Sequence, residues 1–188
     1  MSKIYFTSDL HIGHDRGFMY EPRGFDSIYD HDQMLIAKWN SIVNDDDIVY
    51  ILGDIMLNDN EYGRKIFNQL KGIKVIVRGN HDTDIRWNDI YPTMRGVIRL
   101  TNAEYFTYGK YHFYLSHYPT MTSNLEKESL KKCLINLYGH THQKSNFYND
   151  IPFMYHVGMD SHNNAPVDIE TIIADCEAKC KECLKMLW

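Results

Sequence analysis

Asp47-Ile48-Val49-Tyr50-Ile51-Leu52-Gly53-Asp54 is a continuous apolar run that stops at a glycine and a carboxylate. A run that is apolar at every position reads as a strand covered on both faces. Working outward, His31 to Val43 upstream carries apolar residues at helical spacing and predicts an amphipathic helix. Before it, Lys3 to Ser8 is a short β-rich run that ends in Asp9. Downstream, Glu61 to Leu70 predicts a helix whose end suits Gly72, and Lys74 to Val77 is another short buried strand that runs into Arg78-Gly79-Asn80-His81-Asp82. The middle of the chain changes character. Val97 to Leu115 reads as strands, with Tyr108-Gly109-Lys110 as a hairpin turn, and closes in Ser116-His117-Tyr118-Pro119. Leu125 to Lys132 is expected to be helical, Cys133 to Tyr138 a strand that delivers Gly139-His140-Thr141-His142, Phe153 to Val157 one more strand, and Asp168 to Leu187 a terminal helix. This order, βαβαβ followed by mostly β and a last helix, points to a layered α/β fold rather than a purely doubly wound sheet.

Composition bounds the answer without choosing it. The 188 residues suffice for one domain with a substantial core, and with no repeat or linker we expect a single domain over 1–188. Forty-four per cent hydrophobic and 24% charged residues are the balance of a soluble globular protein. A net charge of −5 argues against a dedicated nucleic-acid binder, which normally carries a basic excess. No run of about 18 apolar residues predicts a membrane span. Met1-Ser2-Lys3 leads straight into a strand without a signal-peptide pattern, so the expected location is the cytoplasm. Cys176, Cys180 and Cys183 share one face of the last helix, which reads as a core stripe in a reducing compartment.

The informative pattern is positional. Short apolar strands end, one after another, in metal-capable side chains: Asp9 and His11, Asp54, Asn80 and His81, His117, then His140 and His142. Strand ends in α/β folds are where loops converge around one crevice. A single His or a Gly-Asp turn is ordinary; five such segments in succession are not. Carboxylate, imidazole and one amide oxygen suit borderline cations such as Mn²⁺, Fe or Zn²⁺, and no cysteine lies in these segments to make a structural thiolate site.

In their order, Asp9-Leu10-His11, Gly53-Asp54, Gly79-Asn80-His81-Asp82, Ser116-His117 and Gly139-His140-Thr141-His142 resemble the calcineurin-like metallophosphoesterase superfamily. The stretches Ser8 to His14, Leu115 to Pro119 and Val157-Gly158-Met159-Asp160 are similar to a small bacterial and phage branch of it. The resemblance implies a four-layer α/β/β/α sandwich of two mixed sheets flanked by helices. It implies two divalent ions, Mn²⁺ first and Fe, Zn²⁺ or Ni²⁺ as alternatives. Asp9, His11 and His142 would hold one ion, Asn80, His117 and His140 the other, and Asp54 would bridge them. It further implies hydrolysis of a small phosphate ester by a metal-bridging hydroxide, with His81 as general acid or transition-state stabiliser and Asp82 orienting His81 through a hydrogen bond.

Beyond the ligands, His14 and Arg23 are candidate contacts to substrate phosphate, Arg23 by a bidentate bond. Arg16 reads as solvated, and His31, His112, His156 and His162 as structural or surface residues. Two competing functions stand beside the phosphatase or phosphodiesterase. One is a nuclease of the same superfamily, disfavoured by length and acidic charge. The other is a catalytically silent interaction scaffold, disfavoured because every expected ligand and His81 are present. Native metal, oligomeric state and the choice of monoester or diester are not legible.

Overall fold

The computed structural model describes residues 2–123 and 129–185. Its strands are β1 (Ile4–Thr7), β2 (Ile48–Leu52), β3 (Ile73–Val77), β4 (Val97–Thr101), β5 (Glu104–Tyr108), β6 (Tyr111–Leu115), β7 (Leu134–Tyr138), β8 (Met154–His156) and β9 (Val167–Asp168). The α-helices are α1 (Gly17–Tyr20), α2 (Ile28–Ile42), α3 (Asn60–Phe67) and α4 (Ile169–Lys185). One sheet runs β4-β3-β2-β1-β9, with β9 antiparallel and the rest parallel; the other runs β5-β6-β7-β8, with only the β5–β6 pair antiparallel. Two mixed sheets with flanking helices are thus the expected architecture. No helix among the described residues is long and apolar enough to cross a membrane.

Side-chain alternation explains the layers. Phe6, Tyr50, Leu52, Val75 and Val77 leave one face of the first sheet and meet Phe113, Leu115, Ile135, Leu137 and Tyr155 from the second. The opposite face of the first sheet, with Tyr5, Val49, Ile51 and Ile76, is covered by Leu35 and Trp39 of α2 and by Ile66 and Phe67 of α3. Because both faces are covered, β2 and β3 are apolar at almost every position. Helix α4 adds Ile169, Ile172, Ile173 and Cys176 to the core between the sheets, so the cysteine stripe begins as core. Each fully buried side chain of this size contributes on the order of 1.5–3 kcal/mol. That frame is strong enough to carry strained loops at one end.

The sequence boundaries shift for local reasons. Helix α2 begins at Ile28 rather than His31 because Ser27 Oγ caps it, accepting from the Asp30 N–H at 3.1 Å. The stretch 97–115 divides between the sheets: β4 pairs with β3, and the chain changes sheets at 102–103 to form the β5–β6 hairpin around Gly109. The helix expected over 125–132 lies partly outside the described residues; its described end is instead a turn, where Ser129 O accepts from Lys132 N and Cys133 N. Asp168 caps α4 through Glu170 N and Thr171 N, and Leu187 lies outside the described residues.

Parallel β1, β2 and β3 deliver their C-terminal ends to one rim, and parallel β6, β7 and β8 deliver theirs to the same place. A parallel bridge between Ser8 and Gly158 joins the two sheets there. Asp9 N donates to Gly53 O, His11 N to Asp54 O and Gly139 N to His117 O, so the loops past the strands are themselves laced together.

Candidate functional site

Five residues at this rim hold backbone conformations that glycine would normally take. Asp9, His11, Asp54, His140 and His142 have φ of 57°, 50°, 56°, 68° and 49°. Left-handed non-glycine residues cost of order 1 kcal/mol or more each and gather where a site imposes them. Glycine appears instead where the backbone must touch a carboxylate. A Cβ on Gly79 would lie 2.2 Å from Asp54 Oδ1, and one on Gly139 would lie 2.5 Å from Asp9 Oδ2. That closeness lets His81 N donate to Asp54 Oδ1 and His140 N to Asp9 Oδ2, both at 2.9 Å. Each carboxylate therefore has one oxygen anchored by main chain and one turned inward.

The inward oxygens face ring nitrogens. Asp54 Oδ2 lies 3.8 Å from His11 Nε2 and 3.5 Å from His117 Nε2. Asp9 Oδ1 lies 3.9 Å from His11 Nε2 and 3.8 Å from His142 Nε2, and has no hydrogen-bond partner although it is buried. His11 Nε2 and His142 Nε2 are 3.1 Å apart. Asn80 Oδ1 stands 2.8 Å from His117 Nε2 and 2.9 Å from His140 Nδ1. All seven residues named from the sequence as ligands converge here, as an Asp9–His11–His142 group and an Asn80–His117–His140 group with Asp54 between them. Asp9 also belongs to a second close set with Asp54 and His117, whose ligand atoms lie within 4.8 Å of one another.

Two arguments say that cations fit. His117 Nδ1 faces the Leu52 carbonyl at 2.7 Å, which assigns the ring proton to Nδ1. Its Nε2 is then an acceptor held 2.8 Å from another acceptor, Asn80 Oδ1. Such a contact is repulsive for a neutral ring unless a cation, or a second ring proton, shares it. The second argument is charge. Buried Asp9 and Asp54 offer oxygens within 4.8 Å of each other, a repulsion of about 3 kcal/mol at an effective dielectric of about 20. Burial, then Asp9 and Asp82, push the Asp54 carboxyl up to about 6, against the opposing pull of His117 and the His81 N–H. Burial, then Arg23 and neighbouring imidazoles, hold His11 well below the usual histidine range; burial and then His117 lower His140. Neutral imidazoles and inward-facing carboxylate oxygens, that of Asp9 without a partner, are the donor set of a divalent first-row ion. His142 differs: burial opposes its proton, but the bond to Asp160 and the charge of Asp9 outweigh that and raise it. No cysteine belongs to either close set of potential ligands among the described residues.

Around the ligands the structure corrects two expectations. Asp82 does not reach the His81 ring. Its carboxylate accepts from Asp54 N (3.0 Å), Ile55 N (3.3 Å), Gly79 N (2.7 Å) and Tyr91 Oη (2.6 Å), so it cradles the turns that present Asp54 and Asn80. His81 is instead pinned through its backbone, by Asp54 Oδ1 on its N–H and by Arg86 Nη1 on its carbonyl at 3.0 Å. Its ring is about half exposed, with Nε2 4.0 Å from Asp54 Oδ2. Arg23, expected at the substrate, is fully buried and forms a two-pronged bond with Asp160, which in turn bonds His142 Nδ1 at 2.9 Å. The bonds from His142 and Arg23 keep Asp160 below the ordinary carboxylate range although burial pulls the other way.

Sequence reasoning assigned no role to Asp160, Arg86 or Tyr91; for Asp160 the only signal was its place in Val157-Gly158-Met159-Asp160. His31, read as structural, is buried, with Nε2 3.0 Å from Arg23 Nη1. His14 lies where a substrate contact could: it lines a cleft of about 410 Å³ together with His11, His81, His142, Phe18, Met19, Pro22 and Lys144.

A family model described as the calcineurin-like phosphoesterase superfamily domain matches residues 3–178. An uncharacterised protein of Methanocaldococcus jannaschii is 29% identical over 181 residues, covering 92% of this chain and 90% of its own length. The Gene 66 protein of Mycobacterium phage D29 is 30% identical over 207 residues, covering 94% of this chain and 98% of its own. Among solved structures, a protein of unknown function from Aquifex aeolicus superposes with a TM-score of 0.70 at 19% identity, covering 93% of this chain and 99% of that one. That likeness concerns the fold.

Proposed function

The chain belongs to the calcineurin-like phosphoesterase superfamily, and from that membership we propose that it hydrolyses small phosphate esters with two divalent ions held by Asp9, His11, Asp54, Asn80, His117, His140 and His142. The observation that carries the reading is the convergence of acceptor on acceptor: Asn80 Oδ1 against His117 Nε2 at 2.8 Å, beside an Asp9 oxygen with no donor. When bound, the ions supply an activated water and neutralise charge on the phosphoryl oxygens.

The remaining chemistry belongs to the chain's own residues. His81 stands at the cleft with its backbone fixed on both sides and its ring about half exposed, Nε2 lying 4.0 Å from Asp54 Oδ2. Its position supports it as the candidate to give a proton to the departing oxygen, or to stabilise its charge. Asp82 acts at one remove, holding the Asp54 and Asn80 turns. His14, on the cleft wall beside His11, is the candidate contact to substrate phosphate. The free thiols of Cys176, Cys180 and Cys183 support a reducing, cytoplasmic setting. Mn²⁺ is the first metal to try, with Fe²⁺, Zn²⁺ and Ni²⁺ beside it. The test is turnover of p-nitrophenyl phosphate and bis-p-nitrophenyl phosphate after metal removal and reconstitution. Fully metallated protein that cleaves neither refutes the proposal.

A further inference from the structure

One guanidinium ties together residues far apart in the chain. Arg23 closes a short 3₁₀ turn, Glu21–Arg23, that ends at Gly24 with φ +88°, and its side chain enters the interior with no exposed surface. Nε donates to Asp160 Oδ1 at 3.1 Å and Nη2 to Asp160 Oδ2 at 2.8 Å. Nη2 also donates to the Asp9 carbonyl at 2.9 Å, and Nη1 meets His31 Nε2 at 3.0 Å. His31 Nδ1 is 2.8 Å from Asp32 Oδ1, and Asp32 Oδ2 accepts from Gly13 N at 3.0 Å. The chain of contacts thus runs from His142 through Asp160, Arg23, His31 and Asp32 to the loop that carries His14. Among the described residues, these hydrogen bonds reach Asp9 and His142 on one side of the site and none of the side chains of Asn80, His117 or His140.

A buried ion pair is a poor way to gain stability, because well-packed apolar residues of the same volume do as well or better. What a forked guanidinium supplies is direction: two parallel bonds fix the plane of the Asp160 carboxylate, and that carboxylate fixes the His142 ring. A ligand whose second nitrogen is held by such a partner binds metal about 10–100-fold more tightly than one left to rotate. We propose that Arg23 is a positioning residue for one ion only, setting the affinity of the Asp9–His11–His142 group through Asp160 and the Asp9 main chain. The inference rests on the two-ion reading above and goes beyond it by making the two halves separately adjustable.

Calorimetric titration of metal-free protein with Mn²⁺, followed by electron paramagnetic resonance of the loaded protein, tests it. Wild type is expected to take up two ions and to show the spectrum of a coupled pair. Arg23→Lys keeps the charge but loses the fork. It is expected to bind one ion with wild-type affinity and the second about 10–100-fold more weakly, with an isolated-ion spectrum at one equivalent. Should Arg23→Lys fail to fold by circular dichroism, Asp160→Asn carries the same expectation. Equal weakening of both ions, or no weakening of either, overturns the role of Arg23 while leaving the two-ion reading intact. Wild type that binds fewer than two ions overturns that reading, and the inference with it.

Discussion

The two ends of the first sheet bury charge in opposite ways. At the end where β2 and β3 begin, Lys74 is wholly buried, yet its Nζ donates to Leu70 O at 2.5 Å and Arg95 O at 3.2 Å. Asp47, just before β2, accepts from Lys3 N at 2.7 Å and Asn44 N at 2.8 Å. The left-handed positions there are Gly72 and Gly96. At the end where β1 and β2 finish, left-handed positions include Asp9, His11 and Asp54 beside Gly53, and Asp9 Oδ1 and His11 Nδ1 are buried without partners. One end satisfies its buried charges with its own main chain. The other sets carboxylates and imidazoles against one another, the arrangement that the proposed pair of ions would complete. The first end is self-sufficient, and the proposed function belongs to the second.

Substitutions can break or sharpen that contrast. The largest effect is expected from Asp54→Asn, which removes the charge shared by both groups. Metal analysis should show both ions lost and turnover abolished, while the metal-free variant melts no lower than metal-free wild type. Full occupancy of either half would remove Asp54 from the bridging position. Next, His81→Ala should lower kcat by roughly 10²–10⁴-fold with both ions retained; parallel loss of metal would make His81 a ligand. Third, Asp82→Ala leaves three buried N–H groups and the Tyr91 hydroxyl without their acceptor, each worth about 1–3 kcal/mol. Destabilisation of about 3 kcal/mol or more is expected, a fall in Tm of roughly 6–12 °C; an unchanged melt would show that the cradle does not bear on the fold.

The smallest effect belongs to the opposite end. Burial, then the charge of Arg95, pulls the Lys74 amine down to about 8 from its ordinary 10.5. Between those values the unfolded chain holds a proton that the folded protein has released, so stability rises with pH through that window. Lys74→Met lacks this slope. Melts at pH 7.5 and 9.5 should show wild type gaining on the variant, and a constant difference between them would refute the shift.

Much of this site can be read along the chain because its candidate ligands follow strands directly. Asp54 comes two residues after Leu52, and His117 two after Leu115, so a buried strand and a ligand-capable residue appear together within a few letters. The same adjacency misled at Asp82. Its neighbour His81 suggested a partner one residue away, whereas its carboxylate turns to N–H groups 27 and 28 residues distant on the Asp54 turn. Arg23 is the stronger case: its loop suggested a contact to substrate phosphate, yet its main partner lies 137 residues away in the turn after β8. Nothing in the spacing of Arg23 or Asp160 marks them as a pair.

By itself, then, the amino-acid sequence determined the buried strands, the order of the candidate ligands and the family to which they point, because hydrophobic runs and strand-end turns are local properties of the chain. Tertiary structure alone decided which nitrogen of each histidine faces the site, which carboxylate oxygen is anchored and which is left inward, and that Arg23 serves His142 rather than substrate. Those choices depend on hydrogen-bond partners brought from other strands. A side chain's direction is settled by where its donors and acceptors find partners, and that is known only once the two sheets have met.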